Sequence, residues 1–194
     1  MVHLDYPRHF LLLTGLGAWL AVITRLPAFT HPDAAFALYG ALHASALILS
    51  LPVPGLTWRR CLFIAVGTGL CVMTLHVGML IMHGVGGLSG TAALGATLGL
   101  SALIGAWTYG MAIRLFGFYK LTPARLAVIS FGCALATCAA FFVLARFPSL
   151  GRWWLPIPWW YALSGGLWLC DRPSSFQGVS GDRTCSGRTP SPKT

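Results

Sequence analysis

Apolar residues in this chain come in blocks too long, and too uniformly apolar around the helix, for the one-sided stripe of a soluble helix, and each block ends near Pro, Gly, Arg or Lys. A spanning helix needs roughly 20 mainly apolar residues, because the hydrocarbon core is about 30 Å thick and a helix rises about 1.5 Å per residue. Six runs satisfy or approach that length: about Phe10–Leu26, Ala34–Leu51, Cys61–Met82, Thr91–Ile113, Ala124–Ala145 and Pro156–Cys170. The predicted fold is an all-α polytopic transmembrane helix bundle of about six spans with short loops, over residues 1–170. Arg25 lies close enough to the end of the first run to snorkel into the headgroups.

Breakers separate the runs. Pro52, Pro54 and Gly55 divide the second from the third, and the uncharged link HGVGGLSG divides the third from the fourth. Thr122 and Pro123 open the fifth, Thr as an N-cap and Pro in the first turn. The sixth is the shortest, with Pro156 and Pro158 at its start. The first run is longer than a signal-peptide core and no small-x-small cleavage site follows it, so it reads as a span. After Cys170 the sequence turns to Ser, Gly, Pro and Arg, and residues 171–194 read as a disordered, polar, basic tail.

Composition agrees with the pattern: 56% of residues are hydrophobic and 9% charged, against roughly 25% charged in soluble domains. The formal charge of +9 is scattered in small groups between the apolar runs, which suits loops facing an anionic leaflet and argues against a nucleic-acid partner. With the amino end in the cytoplasm, the inner segments hold Arg8, Arg59, Arg60, Arg114, Lys120, Arg125, Arg172, Arg183, Arg188 and Lys193, and the outer ones Arg25, Arg146 and Arg152. Positively charged loops stay inside, so both termini are expected in the cytoplasm. Small size, short loops and many Arg with few Lys point to a bacterial inner membrane. Trp153, Trp154, Trp159, Trp160 and Tyr161 form the densest aromatic cluster and are expected to anchor the sixth helix at the outer interface.

Small residues predict how the helices associate, since helices in lipid pack where backbones approach closely. Gly95, Gly99, Ala102, Ala106 and Gly110 share one face of the fourth run, and Gly132, Ala136 and Ala140 one face of the fifth. These stripes suit packing within one bundle, or contact with a second copy or another membrane subunit.

Candidate chemistry is sparse. The chain has no Glu, and its four acids, Asp5, Asp33, Asp171 and Asp182, lie outside the cores of the apolar runs. Carboxylate-lined ion pathways and carboxylate-bridged metal pairs are thereby disfavoured. No Walker, HExxH, GxSxG or CxxC motif occurs. Four of the six cysteines lie inside or at the edge of apolar runs, where Cys acts as a small hydrophobe.

An ionisable residue within a span is a functional hypothesis in itself. His43, His76 and His83 are those residues, with Met79 on the same face as His76 and His83. The bland reading is neutral His bonded to a Ser, Thr or backbone carbonyl of a neighbouring helix. The sharper one is a single haem b between His43 and His76, or copper on His76, Met79 and His83. His31, Asp33 and His83 on separate outer loops make a weaker metal set. The sequence itself implies no cofactor. The expected role is a non-enzymatic accessory or structural membrane subunit, with a small-molecule transporter or channel, or a haem- or copper-binding redox component, as alternatives.

Overall fold

The computed structural model describes residues 5–23, 32–51, 57–84, 90–147 and 156–171. Those residues form six α-helices and no strand: α1 Tyr6–Ile23, α2 Pro32–Leu49, α3 Trp58–Gly84, α4 Thr91–Leu115, α5 Pro123–Arg146 and α6 Pro156–Asp171. Trp153, Trp154, residues 172–194 and most of the glycine-rich link lie outside the described residues. Three helices, α3, α4 and α5, are long and apolar enough to cross a membrane. The others have 18, 18 and 16 described residues.

Local chemistry sets the helix ends. Asp5 caps α1, its Oδ1 accepting the Arg8 N–H at 3.2 Å, so the helix starts four residues before the apolar run does. Thr122 caps α5 by accepting the Arg125 N–H, with Pro123 in the first turn, as the sequence predicts. α4 stops in a Schellman motif: the Phe118 N–H reaches the Ile113 carbonyl and the Gly117 N–H that of Arg114. That turn requires the left-handed backbone of Gly117, whose φ is +72°.

Each helix packs on its neighbours in sequence and α6 returns to α1, giving a ring of antiparallel helices. Half of the apolar stretch of α4 is buried, against 11% for α3, which makes α4 the most enclosed of the three long helices. Gly95, Gly99, Ala102, Ala106 and Gly110 are all buried. A Cβ on Gly95 would press on Phe141 and Phe142, one on Gly99 would overlap Cys138 Sγ, and one on Gly110 would overlap Leu126. The α4 glycines therefore set how closely α5 approaches.

On α5 the geometry corrects the expected face. Gly132 is exposed with nothing within 4 Å of a built Cβ, and Ala136 and Ala140 are half-buried. The inward face is Leu126, Ile129, Ser130, Cys133, Ala134 and Thr137. Counting small residues alone misplaced the face because Leu126 seats on Gly110 of α4 and Ile129 on Gly166 of α6, so the small partners at these contacts belong to the neighbouring helices.

One end of the ring collects the cations. Arg59 Nη2 donates to the Phe116 carbonyl at 2.9 Å and Arg125 Nη1 to that of Cys170 at 3.3 Å. The Asp5 N–H reaches the Ser50 carbonyl at 3.0 Å, and the Tyr6 and Tyr119 hydroxyls meet at 2.9 Å. Arg8, Arg60, Arg114 and Lys120 lie at this same end, and Arg146 at the other. The outer flank is greasy: Val128 is 73% exposed, Phe131 58% and Leu135 56% on α5, and Leu80 70% on α3. A contiguous apolar face of that kind is what lipid covers.

Close backbone approach makes one glycine intolerant. A Cβ at Gly40 would lie 2.8 Å from Thr68 Cα and 2.9 Å from the Gly67 carbonyl, both backbone atoms of α3. Gly40→Ala should lower stability by about 1–3 kcal/mol or more, the cost of overpacking. Gly15→Ala, where nothing lies within 4 Å, should be neutral or slightly stabilising. Thermal unfolding of both variants in one detergent checks the contrast.

Candidate functional site

The interior of the ring holds two adjoining features, a plug of aromatic and histidine side chains and an apolar cavity above it. His43 is wholly buried at the centre of the plug. Its Nδ1 meets the Tyr109 hydroxyl at 3.0 Å, and its ring packs against Trp159 and Trp160 at centroid distances of 5.7 and 5.6 Å. Tyr109 in turn packs edge-on against Phe63 and Trp159. Among the described residues His43 Nε2 has no hydrogen-bond partner. That costs free energy in a dry interior.

The second histidine of the plug is His9, which the sequence reading passed over. It is wholly buried and its ring lies 6.3 Å from that of His43. Nδ1 lies 3.1 Å from Ser50 Oγ and 3.3 Å from the Ala46 carbonyl, and Nε2 lies 2.8 Å from Ser164 Oγ. One imidazole thus ties α1 to α2 and α6. His9 sits before the apolar run, where a polar residue reads as the water-facing flank. The available signal was register: His9, Leu13 and Gly17 recur every four residues, and all three are buried.

The structure does not bring His43 and His76 together. His43 faces the ring centre, whereas His76 is half exposed on α3, its Nδ1 on the Val72 carbonyl at 3.0 Å and its Nε2 3.8 Å from Asp33 Oδ1. A haem bridging those two side chains has no geometric basis here. Of the copper trio, His76 and His83 are exposed while Met79 turns inward to line the cavity. Among the described residues no group of three His, Cys, Asp or Glu is placed to hold a metal ion. His31 of the weaker set lies outside the described residues.

The aromatic cluster is also corrected. Trp159 and Trp160 are 9% and 1% exposed, inside the ring rather than at a headgroup interface. Trp159 Nε1 donates to the Ala102 carbonyl at 3.2 Å, so the indole finds within the bundle the partner that interfacial water would otherwise supply. Tyr161 is half-buried on the α1 side, its hydroxyl bonded to Thr14. The five described cysteines are free thiols, and Cys133 and Cys138 point their sulfurs at the carbonyls of Trp159 and Gly95.

Above the plug lies a half-open cavity of about 400 Å³. Tyr39, Cys71, Trp159 and Trp160 lie at its inner end, Leu75, Met79, Leu98 and Ala102 along its sides, and Met82, Leu94 and Phe141 toward the end of the ring away from the cations. A second recess of about 460 Å³ shares Met82, Leu94 and Phe141 and continues to Thr91 and Ala145 at the same end. Comparison with protein-family models, curated proteins and solved structures finds no match to this chain.

The His43–Tyr109 bond is the testable centre of the plug. Tyr109→Phe leaves both His43 nitrogens without a partner and should cost about 1–3 kcal/mol. His43→Leu orphans the tyrosine hydroxyl instead, so the double variant should be less destabilised than the sum of the two, by about 0.5–3 kcal/mol. Denaturant unfolding in detergent of the four proteins measures that coupling, and strict additivity would refute the bond.

Proposed function

We propose that this chain crosses a bacterial inner membrane six times, with both termini in the cytoplasm, as a non-enzymatic structural or accessory subunit. The observation that carries the reading is the plug. Tyr39, His43, Tyr109, Trp159 and Trp160 fill the centre of the ring, where a channel would keep an aqueous path.

The deployment of the polar side chains supports it. His9 staples three helices, Ser101 Oγ donates across to the Thr74 carbonyl of α3 at 2.7 Å, and Thr68, Thr97 and Thr137 donate to carbonyls of their own helices. These groups hold the bundle together and satisfy the backbone in a place without water. The cation-rich end supports the orientation, since it gathers the links assigned to the cytoplasm. A ring in which α6 returns to α1 supports six spans, because α2 and α6 lie alongside the long helices α3 and α5, and α1 closes the ring between them.

A second reading, a small-molecule carrier, is favoured by one observation: a half-open cavity lined by five helices stops at the plug. Protein-dependent release of small solutes trapped in vesicles would favour the carrier.

Green fluorescent protein fused at the carboxyl terminus should fluoresce, as it does when it folds in the cytoplasm, and alkaline phosphatase inserted in the 85–89 link should be active outside. The opposite pattern would invert the orientation, and both reporters on one side would overturn the six-span count. Proteoliposomes should hold proton and potassium gradients as tightly as protein-free vesicles. A protein-dependent leak would move the assignment to a channel.

A further inference from the structure

We infer that the cavity above the plug is a binding site for one hydrocarbon tail of a membrane lipid, inserted from the outer end of the bundle with its terminal carbons against Trp159 and Trp160. The chemistry of the wall leads to this class of ligand. Of the polar side chains in the lining, Thr74 Oγ1 donates to the Leu70 carbonyl, Ser101 Oγ to that of Thr74 and Thr137 Oγ1 to that of Cys133. Trp159 Nε1 is committed to Ala102. These three hydroxyls and the indole are therefore turned into the protein, and a guest that needed hydrogen bonds from them would lose those it made to water.

Water is a poor occupant for the same reason, since a buried water needs about two to four polar partners. Apolar voids of about 150 Å³ are known to stay dry and to take up apolar guests. The cavity here is larger, about 400 Å³, more than twice the size of an apolar void that takes up benzene, and has room for a hydrocarbon tail.

The approach to the cavity is continuous with the lipid-facing exterior. Met82 and Leu94, which line both the cavity and the outer recess, are 43% and 37% exposed. Phe142 and Leu80 beside them on α5 and α3 are 49% and 70% exposed. A tail sliding inward between Met82 and Leu94 thus passes apolar side chains, with Thr91 and Thr97 of the recess to one side. Beside the cavity the Asp33–His76 pair lies one turn from the lining residues Phe36 and Met79.

The test is photo-crosslinking of the full-length protein in lipid nanodiscs containing a trace of phosphatidylcholine with a diazirine at the far end of one acyl chain. After irradiation, adducts are expected on Cys71, Thr74, Trp159 or Trp160. A diazirine near the headgroup should label Met82 or Leu94 instead. Leu75→Trp and Leu98→Trp, which fill the cavity from two different helices, should each reduce the internal adducts at least fivefold while leaving those on Val128, Phe131 and Leu135 unchanged. A farnesyl diazirine probe run in parallel identifies the kind of tail: preferential labelling of the same floor residues assigns an isoprenoid rather than an acyl chain. Adducts confined to the outward residues with both probes would overturn the proposal, as would floor labelling that persists at full strength in both filled variants. Neither result depends on vesicle permeability, so the site and the subunit assignment stand or fall separately.

Discussion

Close approach of backbones around α4 is the constraint on which the rest of this bundle depends. In lipid, apolar side chains gain little by leaving one apolar medium for another, so contact has to come from van der Waals packing at short range. Gly95, Gly99 and Gly110 bring α5 against one side of α4. On the other side a Cβ on Gly105 would lie 2.6 Å from Thr74 Oγ1, so α3 is held equally close. With both neighbours drawn in, the large α4 side chains turn either outward, as Leu100 and Trp107 do, or into the ring. Tyr109 points into the ring, and it is Tyr109 that engages His43.

The centre of the ring is consequently polar at its core and saturated nearly everywhere. Serines and threonines donate to carbonyls, His9 spans three helices, and Trp159 crosses from α6 to the α4 backbone. Among the described residues the exception is His43 Nε2. A group left unpaired among otherwise paired ones concentrates the energetic sensitivity of the plug at a single residue. The apolar cavity sits directly above, bounded by the same two tryptophans that contact His43. Packing of the plug and shape of the cavity are thereby coupled through Trp159 and Trp160.

What the chain determined by itself is the helical content, the approximate ends of the six elements, and the caps at Thr122 and Pro123. These are local properties, fixed by the length of apolar runs, by Pro and Gly, and by side chains reaching backbone within one turn. The small-residue face of α4 was equally legible, because five residues at helical spacing define a direction without any knowledge of neighbours. The same count failed on α5, where Gly132 faces outward, because a helix with neighbours on only part of its circumference is free to present either of two plausible faces.

The tertiary structure alone decided which distant residues meet. His9 and His43 lie 34 positions apart and become ring neighbours only when α1 and α2 fold back on one another, and His76, which shares the chemistry of His43, is left exposed beside Asp33. Trp159 and Trp160 look like interface anchors in a linear reading, since aromatic residues beside a helix start favour the headgroup level. They are buried because a carbonyl on α4 and an imidazole on α2 offer partners that no property of α6 could reveal. The cavity is the clearest case: its lining comes from five helices, and a volume enclosed by five helices has no representation in any one of their sequences.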